Sequence, residues 1–359
     1  MLKRTPFFDI HKAHNAKIVP FAGYEMPIQY KGVILEHKLV RNKLGIFDVS
    51  HMTQITIKGE NAKKLVQKIT TNQVSKLSKF DVQYSCMLNR NGGIIDDLLI
   101  YKIEEDEFML VANASNSEKD LEWINEINHE FQCSVEDMTS QRGLLAVQGP
   151  KTLAFLQNFT KINLKNIQYY KFKRIKFMDF DVIISNTGYT GAGGFELYFD
   201  KEVAIDILNN LLNHETKPEL AGLAARDTLR LEMGYCLYGN DIDETTSPLE
   251  ASLSWIVKFE NDFIGIDKLK NQKIAGLKKK LVGFILIDKG IPRKDYEIYN
   301  SKNQKIGIVT SGTMSPSLNK PIGMGYVNIK ESSVDNLIFI KIRNKLLRGM
   351  IVKRPFYGK

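Results

Sequence analysis

Cysteine is scarce in this chain: Cys86, Cys133 and Cys236 are the only three among 359 residues. They are odd in number, widely spaced and form no CxxC pair, which argues against a disulfide scaffold or a zinc site and fits a reducing compartment. No apolar run approaches the roughly 20 residues that span a bilayer as a helix. Met1-Leu2-Lys3-Arg4-Thr5-Pro6 runs on into polar and charged residues instead of an apolar signal core, so a cytoplasmic location without signal or transit segment is expected. Missing too are GxSxG, HExxH and GK[ST], which removes the usual signatures of serine hydrolases, zinc proteases and phosphate loops. His11 and His14 could share a helix face, but no acid or cysteine joins them at metal-ligand spacing; a surface pair and no metal are expected.

What is present describes a globular protein, with 43% hydrophobic and 25% charged residues. The length calls for two or three domains. The net charge of +9 admits nucleic acid, a membrane surface or an acidic ligand. Lysines are scattered, Lys278-Lys279-Lys280 is the only tight basic run, and no nucleic-acid module is recognisable. An acidic protein or a polyanionic small molecule is compatible with the charge, and neither nucleic acid nor membrane is expected as a partner.

The most informative stretch is NGGIIDDLLIY, Asn91 to Tyr101. Asn-Gly-Gly is turn chemistry, and a strand should follow at once. Strand alternation puts Ile94, Asp96, Leu98 and Ile100 on one face and Ile95, Asp97, Leu99 and Tyr101 on the other. Each face carries one carboxylate among apolar neighbours, which must be hydrogen-bonded, hold its proton more tightly, or face a ligand. Pattern alone favours a solvated strand start for both acids.

Strands are expected at Val82 to Leu88, Ile94 to Ile103 and Phe108 to Val111, an antiparallel meander. A strand from His51 to Gly59 precedes a helix from Asn61, its plausible N-cap, to about Thr70, and Ser117 to about His129 forms another. The chain then starts again: Leu145-Ala146-Val147-Gln148-Gly149 resembles Ile55-Thr56-Ile57-Lys58-Gly59. Strands at Lys171 to Phe177, Asp181 to Ser185 and Phe195 to Phe199 and a helix from Lys201 to Asn213 complete a second strand, helix, three strands, helix series. A helix from Leu220 to Met233 ends at Gly234, a suitable C-cap. From about residue 277 onward, short strands between Gly, Pro and Asn turns predict an antiparallel barrel or sandwich.

YTGAGGFE, Tyr189 to Glu196, is glycine-dense between strands; it either makes turns or lets backbone approach a flat ligand. A lone strand glutamate such as Glu196 is usually solvent-facing. Arg226 and Arg230, four apart on a Leu- and Ala-rich helix, either form exposed ion pairs or aim at a carboxylate or heterocycle edge. Tyr84, Tyr101, Tyr169, Tyr170, Tyr189 and Trp255 either pack or stack on a planar ligand. Residue chemistry alone reaches a possible aromatic, acidic and arginine-containing pocket and names no substrate.

Collinear motifs carry more. TPFFDIH, FAGYEMPIQY, FDVSHM, YSCMLNRNGGIIDDLLIY, LLAVQGP, TGYTGAGGFE, GLAARDTLRLEMGYCLYGNDIDETTSPLEA, WIVKFENDFIGIDKL, TSGTMSPSLNKPIGMGYV and the closing PFY together resemble the T-protein family of the glycine cleavage system, the aminomethyltransferases, almost end to end. The resemblance implies an α+β fold: a three-domain cloverleaf of two related antiparallel α+β modules plus a C-terminal β-barrel, around a central folate site. Residues 1–50 with 140–276 would form the first, discontinuous module, 51–139 the second, and 277–359 the barrel.

The implied reaction passes the methylene of an aminomethyl group, carried on the lipoyl arm of the H-protein, to tetrahydrofolate as one-carbon acceptor co-substrate. Ammonia leaves and 5,10-methylenetetrahydrofolate forms. The lipoylated H-protein is the implied partner, with other glycine cleavage components bound transiently. By the same resemblance Asp97 is the catalytic carboxylate beside the pterin, Glu196 grips its aminopyrimidine edge, and Arg226 belongs to the folate site. Met52, Tyr84, Tyr101, Asn113, Tyr170, Tyr189 and Trp255 would line the pocket. Two positions depart from the family pattern: Ala192 stands where many relatives carry glutamate, and Asn186 where arginine is frequent. A one-carbon transferase with another donor is the neighbouring reading. A relative serving iron–sulfur cluster assembly would carry KGCYxGQE, and TGYTGAGGFE has no cysteine there.

Overall fold

One asparagine shapes the turn that precedes the two aspartates. Asn89 Oδ1 accepts the N–H groups of Asn91 (2.9 Å) and Gly93 (3.0 Å), an Asx-type arrangement, and its Nδ2 donates to Glu244 O (3.3 Å). Strands Val82–Leu88 and Ile94–Glu104 flank it. The structure, a computed structural model, describes residues 1–358; Lys359 lies outside the described residues.

The chain divides into two compact units. One comprises Met1–Gln67, Gln73–Tyr84 and Leu98–Asp227, the other Lys68–Asn72, Ser85–Asp97 and Thr228–Lys359. Glu196 and Arg226 belong to the first unit, Asp97 and Trp255 to the second.

The repeat read from the sequence is real at the level of strand order. One five-stranded sheet runs Val82–Leu88, Ile94–Glu104, Glu107–Ala112, Thr53–Lys58, Ser134–Asp137. A six-stranded sheet runs Phe172–Phe177, Phe180–Ser185, Gly194–Asp200, Arg142–Gln148, Gly45–Asp48, Glu219–Leu220. In both, three successive antiparallel strands return to pair with the strand that opened the series, and that opening strand leads through a glycine into a helix, Ala62–Ile69 or Thr152–Leu156.

Packing against a helix decides which face of the six-stranded sheet holds the apolar core. Phe195, Leu197 and Phe199 point into a core shared with Val182, Ile184, Phe155 and Leu156, and with Ile207, Leu208 and Leu211 of the helix Ala204–Asn213. Each fully buried side chain of this kind contributes about 1.5–3 kcal/mol. The other face of the same strands therefore carries Ser185, Glu196 and Tyr198. The C-terminal strands close into a barrel in the order Lys279–Leu286, Lys320–Asn328, Lys305–Ser315, Glu297–Tyr299, Leu337–Ile342, Lys345–Val352, and the last pairs back with the first. Phe284, Ile298, Val309, Val327, Ile338 and Ile351 fill it.

Several expectations need correction. His11 is no surface residue: it is fully buried, with Nε2 2.8 Å from Asp48 Oδ2 and Nδ1 2.8 Å from the Tyr30 hydroxyl, while His14 is exposed. The Asn61 amide does not cap its helix; it donates to Phe131 O (3.1 Å) and accepts from Lys64 (3.1 Å). The helix expected from Leu220 begins at Leu223, because Glu219–Leu220 pairs in parallel with Gly45 and Ile46. Its end agrees: Gly234 has φ +68°. His11 lies on the short helix Phe8–Ala13, and the hairpin Lys17–Phe21/Tyr24–Gln29 was not anticipated. Among the described residues no helix is long and apolar enough to cross a membrane.

Candidate functional site

Glu196 sits on the face of its strand opposite the apolar core, paired with Ala146 on one side and Ser185 on the other. Far from being solvent-facing, it is 7% exposed. Burial pushes its carboxyl pKa up; the Thr187 hydroxyl, the Arg226 guanidinium and the Tyr198 hydroxyl pull the other way without reversing the shift. Thr187 Oγ1 donates to Glu196 Oε2 at 2.5 Å, and Tyr198 OH approaches the same oxygen at 3.5 Å. Thr187 Oγ1 also lies 2.9 Å from Ser185 Oγ and 3.2 Å from Tyr101 OH, which is 2.7 Å from Tyr198 OH. A hydroxyl has one proton to give, so with Thr187 committed to the carboxylate, Ser185 donates to Thr187. The result is a hydroxyl lattice that holds one carboxylate oxygen in place.

The glycine-dense loop is built around Gln148. Its Nε2 donates to Thr187 O (3.2 Å) and its Oε1 accepts from Thr190 Oγ1 (2.8 Å). A Cβ at Gly188 would lie 2.0 Å from Gln148 Oε1, so close packing on this amide requires glycine there. Ala192 sits in that loop, its N–H 3.2 Å from Thr190 Oγ1. Asn186 donates through Nδ2 to Ile167 O at 2.8 Å, a structural task for the side chain that departs from the family pattern.

Arg226 comes from the helix Leu223–Glu232, whose start is fixed by a carboxylate. Glu36 Oε1 accepts from the N–H groups of Tyr30 (2.7 Å), Lys31 (2.9 Å) and Gly32 (3.0 Å), and its Oε2 from Gly222 N (2.8 Å). Any Cβ at Gly222 would meet the Ile28 carbonyl oxygen at 2.4 Å. The Arg226 guanidinium stands 4.8 Å over the Tyr189 ring, a cation–π contact. Its Nη1 is buried without a hydrogen-bond partner among the described residues. Burial lowers its pKa and the Glu196 charge opposes that. A shielded carboxyl and a cation with an uncommitted donor thus lie within one another's field, beside an aromatic face. Such a set can grip a flat, polar heterocycle.

Of the other residues expected at a site, the first unit holds Met52, Tyr84, Asn113, Tyr170 and Tyr189, all half-buried, and Tyr101, fully buried within the hydroxyl lattice. Tyr170 has φ +61°, donates its N–H to Asn186 O (3.0 Å), and packs edge-on against Tyr169 at 4.7 Å. In the second unit the two aspartates differ. Asp96 is fully buried and its Oδ1 accepts the Asp97 N–H at 3.0 Å, which overturns the solvated reading for that residue. Asp97 is half-buried, and its charge reaches two buried thiols. Burial first and Asp97 second push the Cys86 thiol well up; burial and then Asp241 take Cys236 to about 12, with Asp97 adding. Trp255 is 59% exposed, in the turn Ser254–Ile256.

Sequence reading missed Ser185, Thr187 and Tyr198. Two signals were available: Thr187 opens the TGYTG run, and Tyr198 lies two residues from Glu196 and so shares its face.

Comparison with known proteins gives consistent results. Residues 7–261 match the GCVT N-terminal domain and residues 279–358 the glycine cleavage T-protein C-terminal barrel domain. An aminomethyltransferase of Flavobacterium psychrophilum is 51% identical over 100% of both chains. One from Porphyromonas gingivalis is 52% identical over 99% of each. The crystal structure of glycine cleavage system aminomethyltransferase T from Bartonella henselae superposes with a TM-score of 0.94 at 33% identity, covering 99% of this chain and 98% of that one.

Proposed function

The chain belongs to the glycine cleavage T-protein family, whose activity is aminomethyl transfer, and we propose that it moves the methylene of an aminomethyl-lipoyl group on the H-protein to tetrahydrofolate. Ammonia is released and 5,10-methylenetetrahydrofolate is the product. The observation that carries the folate half is Glu196: an enclosed carboxyl with raised pKa, held by Thr187 and within the field of Arg226. An aminopyrimidine edge presents two parallel donors, and a carboxylate accepts both. Arg226 supplies the complementary donor for a ligand oxygen, and Tyr189, steadied by that cation, offers a stacking face.

Asp97 is assigned to the reacting nitrogens, where an anion positions the acceptor, takes a proton and stabilises developing positive charge. Met52, Tyr84, Tyr101, Asn113, Tyr170 and Trp255 are assigned to the remaining pocket wall. The modules are assigned as residues 1–50 with 140–276, 51–139 and 277–359, and the setting as the cytoplasm, where the lipoylated H-protein and the other glycine cleavage components are met.

Titration with tetrahydrofolate, followed by ammonia release from aminomethyl-H-protein, tests this reading. Saturable binding and rapid release are expected. Absence of binding would remove the folate assignment, and normal turnover by Asp97→Asn would remove the role given to that acid.

A further inference from the structure

Glu196 carries the folate reading, and burial alone does not orient it. The terminal torsion of a glutamate is broad, so an enclosed carboxyl can still turn about its own axis. A ligand edge with two parallel donors demands more, because both bonds are straight only when carboxylate and heterocycle lie in one plane. Something must hold that plane.

The hydroxyl of Thr187 is placed to do so. Thr187 is 3% exposed, and its Oγ1 has three oxygen neighbours: Glu196 Oε2 at 2.5 Å, Ser185 Oγ at 2.9 Å and Tyr101 OH at 3.2 Å. A hydroxyl gives one proton and offers two lone pairs. With its proton on Glu196, Ser185 and Tyr101 stand at the two accepting positions, and the group has no freedom left to rotate. The backbone behind it is held as well. Gln148 Nε2 donates to Thr187 O (3.2 Å), Gln148 Oε1 accepts from Thr190 Oγ1 (2.8 Å), and Arg41 Nη1 donates to Thr190 O (2.6 Å). Glu196 Oε1, by contrast, takes no hydrogen bond among the described residues, and it is not closed off from solvent as Arg226 Nη1 is. One oxygen of the carboxyl is anchored and the other is left open.

We propose that Thr187 is a positioning residue for ligand binding: its hydroxyl, backed by Ser185 and Tyr101, fixes the plane of the Glu196 carboxyl through Oε2 and leaves Oε1 for the donor edge of the ligand. The role rests on the folate reading above and adds to it the group that orients the carboxylate. Since Oε2 already accepts from Thr187, a ligand donor can use only its remaining lone pair, and Oε1 alone has both to offer.

The same bond bears on the charge of Glu196. Tyr198 on its own strand, Tyr101 from the five-stranded sheet and Arg226 from the helix Leu223–Glu232 are the titratable groups in its field. Burial keeps both phenols protonated far above neutral pH, so of the three only Arg226 is charged. Burial raises the Glu196 pKa, and the Thr187 hydroxyl is the largest of the effects that lower it. Without that hydroxyl the pKa rises further, and binding that needs the carboxylate is lost at a higher pH as the solution is acidified.

Two substitutions separate positioning from packing. Thr187→Val keeps the shape of the side chain and removes the hydroxyl; Thr187→Ser keeps the hydroxyl and removes a methyl group. Dissociation constants for tetrahydrofolate at neutral pH are expected to rise about tenfold in Thr187→Val and less than about threefold in Thr187→Ser, the first matching loss of one hydrogen bond. Binding by all three proteins should weaken toward acid, with the midpoint at higher pH in Thr187→Val than in wild type or Thr187→Ser. A role in packing alone would lower affinity by the same factor at every pH. Unchanged affinity in Thr187→Val, a loss independent of pH, or no recovery in Thr187→Ser would overturn the proposal. A measurement without ligand stands apart from the folate reading: with ¹³C-labelled glutamate carboxyl groups, the Glu196 resonance should titrate at higher pH in Thr187→Val than in wild type, and equal midpoints would remove the role of Thr187. Failure of wild type to bind tetrahydrofolate would remove the folate reading instead, and the titration would still decide whether Thr187 governs the carboxyl.

Discussion

Arg226 and Arg230 stand one turn apart on the helix Leu223–Glu232, one in each unit, and they meet opposite surroundings. Arg230 is 1% exposed and fully engaged: Nη1 donates to Asp241 Oδ2 (2.7 Å) and Tyr235 O (3.0 Å), and Nη2 to Ser311 Oγ (2.9 Å). Asp241 is itself held by Leu237 N (2.9 Å), Ser311 Oγ (2.9 Å) and a short bond from Thr310 Oγ1. Arg226 has a ring beneath it, a shielded acid in its field and an Nη1 without a partner among the described residues. A buried ion pair that satisfies every donor locks a structure. A buried cation with a donor to spare is held ready for a ligand. The same residue type on the same helix is thus architecture at one position and recognition at the next.

The largest effect should come from breaking the saturated pair. Asp241→Asn leaves Arg230 without its counter-charge and should cost about 3–5 kcal/mol of folding stability, read from the denaturant midpoint. Replacing both partners with apolar residues should be milder than either single change. Next is Arg226→Met, which should weaken tetrahydrofolate binding by about 1.5–3 kcal/mol, the range for a hydrogen bond to a charged group, while folding stability holds or rises. If Arg226→Met proves as destabilising as Asp241→Asn, the distinction between the two arginines is lost.

Glu196→Gln sharpens the comparison through pH. The folded carboxyl holds its proton more tightly than the unfolded one, so wild-type stability falls as pH rises from the ordinary carboxylate value through the raised one. The glutamine variant lacks that loss. It should match wild type in acid and exceed it toward neutral pH, while binding tetrahydrofolate less well; unfolding free energies across that range check the sign. The smallest effect belongs to Asn186→Ala, which removes one bond to Ile167 O and should cost about 1 kcal/mol in thermal stability.

Much of this was legible in the chain. The repeated glycine-terminated strand, the strand series that follows it and the switch to short strands near residue 277 are local patterns, and they led to the two sheets and the C-terminal β domain. Alternation also separated Asp96 from Asp97 correctly. It could not say which face would be covered, so the full burial of Asp96 and the enclosure of Glu196 emerge only once the sheets are packed. His11 shows the same limit, since its acid Asp48 lies 37 residues away and no spacing rule joins them. The hydroxyl lattice was hidden because serine, threonine and tyrosine carry no distinctive pattern until a carboxylate collects them.

Glu36 has a consequence beyond holding a helix start. Its two oxygens receive four main-chain donors from separate stretches of the chain, so its usefulness lies in lone pairs at both tips more than in its charge. Glutamine, nearly identical in outline, would turn one tip from acceptor to donor and set it against an N–H. A saturation mutagenesis survey should therefore find this position intolerant even of its closest isostere, and the disturbance should surface as misplacement of Arg226.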